Sequence, residues 1–482
     1  MNLWKQSACW IIVAAAASLC TVPLRALQEG EEKPKPATRV LLPLPDLGGD
    51  QQDDNANQDR VPQNLQPDNG PLTGVQAPTL GFPEMRHSYW VPGIQYSNTI
   101  LSSPVNPAAN SGWASINYVT GNLSLSQEWR SSSLKLNYSG GSYFSNDNVQ
   151  GNGQFHQLAL EYQINTRRWQ LLFMEQFSYL PQSSFGFGAG TGLSLPGIGG
   201  SLGVPVPGLQ GTYMPTQSNF ASVGSRYSSS SAAQLSYQVS ARTSITLASV
   251  YGMLRFVQPG NIESNNPTLT AGYNYALSQK NTIGISYRFS VYQFLGIPQA
   301  LGDHWAQLNY GRKITGRMAL QLATGPEITT HRIPISNRSQ RNSVFGNATL
   351  TYAFKRGGVS LNYSHGVNGG GGVLAGSSGD QAGVSANRQL TRIWQGNLSF
   401  SYAKNAGLTN LNGVSSPTYN SWYAGAGLNR SLGRETDFSI AYQAQNQNTN
   451  FSPCSGPGCG TNYLVHQITL SFQWHTRPFV LR

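Results

Sequence analysis

TIGISYRFSVYQF, residues 282–294, carries two interleaved messages. Ile283, Ile285, Tyr287, Phe289 and Val291 form one set, and Gly284, Ser286, Arg288 and Ser290 form the other. Successive side chains of an extended chain point to opposite sides, so a period of two divides this segment into an apolar face and a polar face. The segment reads as a strand with hydrocarbon on one side and water on the other.

The same period returns along the chain. In QLALEYQI (157–164), Leu158, Leu160, Tyr162 and Ile164 stand opposite Gln157, Glu161 and Gln163. In LTAGYNYAL (269–277), Leu269, Tyr273 and Tyr275 stand opposite Thr270, Gly272 and Asn274. NATLTYAF, GVSLNYS, NLSFSYA, FSIAYQ and QITLSFQW repeat the pattern from residue 347 to 474. The apolar sets often end in Tyr, Phe or Trp, side chains that suit a membrane interface because an apolar body carries a polar handle.

A soluble sandwich also alternates, so the connections decide between the two. Short links occur near Arg130 and at 165–168, 240–243, 278–281, 314–317, 354–358, 390–392 and 432–435. Between them lie longer polar or Gly-rich stretches at about 141–153, 180–217, 257–265, 295–302, 329–341, 365–379, 405–418 and 445–462. Short turns on one side and long loops on the other are the topology of a transmembrane barrel. The expected fold is all-β, a transmembrane antiparallel β-barrel over residues 111–482. The strand count is about 18, with 16 as the alternative. Reaching an even number requires splitting WASINYVTGNLSLSQEW (113–129) into a hairpin at Thr120-Gly121-Asn122.

The ends and the composition agree with this. Lys5 precedes an apolar stretch from Ala8 to Leu19, and Ala26 closes a cleavage site, so 1–26 is expected to be an export signal. That stretch falls short of the ~20 residues of a spanning helix. Charged residues make up 11% of the chain, where a soluble globular protein has about 25%. Residues 27–110 are rich in Pro, Gln, Asp and Asn. They are expected to form a disordered periplasmic segment, with a possible docking or plug stretch at 82–110. Beyond the signal, Cys454 and Cys459 remain in SPCSGPGCG, and a short Gly/Pro loop in an oxidising compartment is a natural place for a disulfide.

On these features the chain resembles the Gram-negative outer-membrane β-barrel proteins of the porin-like class, over residues 112 to 475. The last strand, QITLSFQW, is similar to a barrel-assembly signal, with polar Gln467 and the aromatic pair Phe472 and Trp474 at the expected spacing. Thr469 stands where Gly is usual, and the chain continues through HTRPFVLR. The resemblance implies location in the bacterial outer membrane, contact with outer-membrane lipid and with the barrel-assembly machinery, and passage of small solutes. A homotrimer is one assembly it allows. It also implies interest in the loop at 180–217, which is uncharged and follows the sixth strand on this reading: the third loop of a porin commonly folds inward as a constriction.

Candidate lumen charges are Arg288, Glu161 and Asp437, placed on inner faces by the alternation; rings of charge set ion preference in pores. These charges serve equally well as cross-links that stiffen the wall. Enzymatic chemistry is not expected, because Ser364 and His365 are neighbours that point to opposite faces of a strand and no GxSxG, HExxH or phosphate-loop motif occurs. No cofactor or metal is expected. Nucleic acid is not an expected partner either. The excess base of residues 111–482, 24 Lys and Arg against 10 Asp and Glu, sits largely as single residues at turns. The function expected is a channel for passive or gated passage of small solutes. The alternatives are a plugged structural or assembly barrel, such as the outer part of a polymer-export system, and a surface adhesin or receptor.

Overall fold

The computed structural model describes residues 88–102, 113–146, 152–180, 225–257, 261–278, 280–297, 299–332, 339–408, 417–433, 435–450 and 462–480. The strands are β1 (Tyr89–Ser102), β2 (Trp113–Glu128), β3 (Ser132–Ser145), β4 (Gly153–Asn165), β5 (Trp169–Leu180) and β6 (Arg226–Ser240). They continue with β7 (Thr243–Phe256), β8 (Glu263–Ala276), β9 (Asn281–Leu295), β10 (Ala300–Thr315), β11 (Met318–Arg332) and β12 (Ser339–Phe354). The last are β13 (Gly357–Asn368), β14 (Ser377–Gln389), β15 (Trp394–Gly407), β16 (Thr418–Ser431), β17 (Thr436–Thr449), β18 (Tyr463–His475) and the short β19 (Phe479–Val480). Each of β1 to β17 pairs antiparallel with the next, and β18 pairs with β1, so eighteen strands close into a barrel.

Closure removes every open edge, which is what lets a sheet cross hydrocarbon without orphaned backbone amides. At the seam Ile94 lies opposite Trp474. On the inner side of the seam Gln95 donates from Nε2 to Ser471 Oγ at 2.9 Å, and the Thr99 and Thr469 hydroxyls are 3.1 Å apart. The residues after β18 extend the seam: β19 pairs with Tyr89 and Trp90, and the Trp90 and Phe479 rings lie 5.1 Å apart. Between the two pairings sits Pro92, whose carbonyl accepts from Thr476 N at 3.0 Å. A proline has no N–H to give, and a break in the ladder is where a strand tolerates one.

The strand count of eighteen holds, but its first members differ from those read in the sequence. Trp113–Glu128 is one unbroken strand, with Gly121 opposite Ile94 on one side and Gly140 on the other. Thr120-Gly121-Asn122 has turn chemistry, yet a turn there would leave halves of about seven residues, too short for the ~9–11 that a transmembrane strand needs. The missing strand is Tyr89–Ser102, which falls within the expected docking or plug stretch at 82–110; it is instead part of the wall, paired on both sides. The loop after β5 therefore follows the fifth strand, and it is still the third loop on its rim. All eight short links read from the sequence join strands on one rim, and the long connections lie on the other.

Outward positions are mostly apolar. Ile285 is 65% exposed while Arg288, three residues on, is 4% exposed. An aromatic border marks the turn rim, with Trp169 on Tyr237 at 4.3 Å and Phe438 on Phe472 at 4.9 Å. On the loop rim a second border is built from tyrosines whose hydroxyls meet a polar side chain of the next strand. Tyr138 meets His156 at 2.9 Å, Tyr287 meets His304 at 2.6 Å and Tyr442 meets His466 at 2.8 Å. Tyr96, Tyr363 and Tyr402 donate to Asn117, Asp380 and Asn420. Rings in the acyl region with their hydroxyls satisfied above it are the arrangement an interface favours.

Candidate functional site

The inner wall is built chiefly from hydroxyls and amides, because the inward half of each alternating strand carries them. Gln95, Ser97 and Thr99 on β1 and Gln443, Gln445 and Gln447 on β17 are examples, all buried from bulk solvent. Hydroxyls and amides of this kind offer hydrogen bonds without fixing a charge sign.

The three charges singled out from the sequence all point inward, at separate places. Glu161 on β4 stands between Lys135 on β3 and Met174 on β5 in the register. Asp437 on β17 lies beside His475 on β18, with Oδ2 3.5 Å from Nε2. Arg288 on β9 belongs to a denser cluster. Its guanidinium lies 3.0 Å from the centre of the Trp305 ring, and Trp305 stacks on Phe345 at 3.9 Å, so the three side chains form a layered stack from β9 to β12. Asp303, two residues from Trp305 on β10, has its Oδ2 3.9 Å from Arg288 Nη2 and accepts from the Thr329 hydroxyl at 3.2 Å.

The carboxylate that organises this cluster is Glu327 on β11, fully buried. Its Oε2 accepts from Ser343 Oγ at 2.7 Å, and its Oε1 accepts from the backbone N–H of Val367 at 2.9 Å. Val367 is on β13, and β12 separates the two strands in sheet order. The contact exists because the β13–β14 hairpin leaves the wall. Pairing of β12 with β13 stops at Gly346 and His365, whereas β13 and β14 stay paired up to Asn368 and Ser377. The tip, residues 366–377, leans into the lumen and lies on the inner surface of its neighbours. By parity Val367 should face outward; instead it is 1% exposed and packs with Tyr292, Phe294, Leu301 and Ala375.

Polar and apolar contacts fasten the tip. Tyr292 Oη donates to Val367 O at 3.3 Å, Leu408 N donates to Gly376 O at 3.2 Å, and Ile262 N donates to Gly372 O at 2.8 Å. Val373 packs against Leu254 and Phe256 of β7. The chain reverses here because Gly370, Gly372 and Gly376 take φ of +80°, +89° and +86°, a region closed to most L side chains. Asn368 braces the turn: its Oδ1 accepts from Gly370 N at 2.9 Å and from Ser377 Oγ at 2.5 Å. The tip reaches from β13 to β7 over the inner surface at the loop rim, and it belongs to the seventh connection on that rim.

Sequence reasoning did not find Asp303, Trp305, Glu327 or the tip. Leu301, Asp303 and Trp305 share one inner face, a mixture that blurs the polar and apolar sets. The legible signal was GVNGGGGVLAG (366–376), a run of glycines too apolar for an exposed loop. The loop at 180–217 and the pair Cys454 and Cys459 lie outside the described residues, as do the signal and residues 27–87. In the last strand Gln467 faces inward, and Phe472 and Trp474 face outward and are half exposed. Ser364 is buried on the inner face, while His365 lies outside with Nδ1 2.7 Å from Asp380 Oδ1. Among the described residues no group of three or more His, Cys, Asp or Glu side chains is placed to hold a metal ion.

No family model and no curated protein matches the sequence. Among solved structures, the chain is similar to the outer membrane protein opdK from Pseudomonas aeruginosa, at 8% identity and a TM-score of 0.42 over 80% of this chain and 99% of that one. It is similar to Pseudomonas aeruginosa OccK2 (OpdF) at 10% identity and 0.42, over 80% and 98%. Acinetobacter baumannii OccAB3 gives 6% and 0.41, over 82% and 100%. Likeness at this distance carries no argument about cargo. The chain's own geometry gives its architecture: eighteen antiparallel strands closed on themselves, an apolar exterior bordered by aromatic belts and a polar interior make it a transmembrane β-barrel of the outer-membrane type.

Proposed function

We propose that the barrel is a channel for small neutral hydrophilic solutes, narrowed near its outer mouth by the β13–β14 tip. The observation that carries this is the inner wall, where hydroxyl and amide side chains predominate and three of its charged groups, Arg288, Asp437 and Glu161, each face an acidic or basic neighbour. Arg288 lies beside Asp303 and Asp437 beside His475, and Lys135 opposes Glu161. Paired charges present little net field to a passing ion, whereas hydroxyls and amides can exchange hydrogen bonds with a polyol or sugar. Barrels of this strand number are wide enough for an aqueous path.

The test is flux through the refolded protein. Liposomes carrying it should swell in neutral sugars faster than in charged analogues of equal size, and planar bilayers should show pores with weak preference between cations and anions. A strong preference for one ion sign, or swelling confined to charged solutes, would overturn the neutral-solute reading. A second reading, a barrel closed at the tip and serving as an anchor or export component, is favoured by the dense packing around Asp303, Glu327 and Thr329, none of which has measurable exposure. That reading requires the intact protein to give neither conductance nor swelling.

A further inference from the structure

On the outer wall of β5–β7 the polarity is reversed. Glu175, on β5, points outward. It lies six residues from Trp169 of the turn-side belt and four from Tyr179, which stacks on Tyr227 at 4.7 Å in the loop-side belt. The carboxylate is therefore at the depth of the acyl chains. Its Oε1 accepts from Ser229 Oγ at 2.8 Å, and its Oε2 accepts from Ser231 Oγ. Both serines are outward on β6, followed by Ala233, and on β7 the outward Ser249 is exposed. Among the described residues, no other charged side chain faces outward between the belts. Behind this patch the inner wall is apolar: Leu172, Met174, Ala232, Ala248 and Val250 cluster on the lumen side.

An ionisable group at that depth is normally covered by protein or lines water. The barrel has no edge and is closed, so a cover must come from another membrane-embedded surface. We propose that the outer face of β5–β7 is the contact surface for a second copy of this chain, related by a two-fold axis along the membrane normal that passes near Ala233.

Two features select a second copy. The patch is self-complementary, as an isologous interface requires. Followed from strand to strand, paired positions climb toward the loop rim, as in Ile94, Gly121, Gly140, His156 and Tyr179. The β7 residue level with Glu175 therefore lies below its register position Tyr251, at Ser249. A two-fold axis through β6 then sets the Glu175 carboxylate of each copy against the Ser249 hydroxyl of the other, an acceptor against a donor that has no partner among the described residues. The second feature is size. Ser229, Ser231, Ala233 and Ser249 form a shallow trough between Phe173, Phe177 and Tyr251, and small side chains let two walls approach closely in lipid.

The experiment uses the full chain in native outer membranes. Ala233→Cys should give a disulfide-linked dimer on mild oxidation, at least ten-fold more than Ala306→Cys on the outer face of β10 and more than the parent chain with its own cysteines. In a mild detergent the parent should run as a dimer by native mass spectrometry, and Glu175→Leu should shift it to monomer while keeping the heat-modifiable mobility of a folded barrel. Equal cross-linking of Ala233→Cys and Ala306→Cys, a monomer carrying a co-purified lipid, or a trimer would each overturn the two-fold pairing. The cross-linking arm stands even if Glu175→Leu does not fold.

Discussion

The wall at β9–β11 and the wall at β5–β7 obey the same period and have opposite characters. On β9–β11 the outer face is Ile283, Ile285, Leu308, Leu320 and Leu322, and the inner face holds Arg288, Asp303 and Glu327. On β5–β7 a carboxylate and three serines face out, and Leu172, Met174, Ala232, Ala248 and Val250 face in. Alternation creates two different faces; it does not decide which one meets lipid. On β9–β11 the solvent on each side decides. Hydrocarbon takes the aliphatic set, and the charged set is neutralised within the wall and used to hold the tip.

The comparison can be broken most directly at the tip. Replacing residues 369–376 by a two-residue turn should raise single-channel conductance at least two-fold, because the barrier resting on the β9–β11 wall would be gone. Unchanged conductance would mean that the charged wall narrows nothing. Next in size is the packing of the stack. Trp305→Ala removes the layer between Arg288 and Phe345, and should cost about 3–5 kcal/mol in urea unfolding from detergent. A much smaller loss would show that the buried cluster has room to collapse.

The sharpest contrast between the two walls is a basic residue placed on each. Ile285→Arg, between the belts on β9, should cost about 2–4 kcal/mol near the bilayer midplane. Ser231→Arg, beside Glu175, should cost clearly less in the same assay, since the guanidinium has a carboxylate to meet; equal costs would deny that the β5–β7 face is special. Glu327→Ala leaves the Val367 N–H without its buried acceptor and should cost about 1–3 kcal/mol. Amide exchange at Val367 should speed up while Ile285 on the same wall stays protected. Smallest is Tyr287→Phe, which removes the hydroxyl contact to His304 at the border and should cost about 1 kcal/mol or less.

Much of the wall was legible in the residues, and the reasons are local. TIGISYRFSVYQF (282–294) separates its faces cleanly, so Arg288 could be assigned to the interior before any fold was known. WQLLFMEQFSYL (169–180) does not, because Leu171, Phe173 and Phe177 alternate with Leu172 and Met174 and both sets are apolar. The side taken by Glu175 follows from the pairing of Trp169 with Tyr237 and Tyr179 with Tyr227. YWVPGIQYSNTILS (89–102) was obscured by Pro92 and by the polar stretch before it, and Thr120-Gly121-Asn122 imitated a turn. A strand's place in a barrel is settled by partners far away in the chain: Ile94 finds Trp474.

The sequence alone determined the two-residue period, the alternation of short turns with long loops, the sparing use of charge and the inward direction of Arg288, Glu161 and Asp437. These follow from backbone geometry and from the solvents on either side of a membrane, and both act over a few residues. The tertiary structure decided which strand closes the ring, that the β13–β14 tip bends inward to the Glu327 carboxylate, and that β5–β7 turns a carboxylate toward lipid. Each of these depends on what lies across a strand pair or across the lumen, and a period of two records that a side chain changes face without recording what that face will meet.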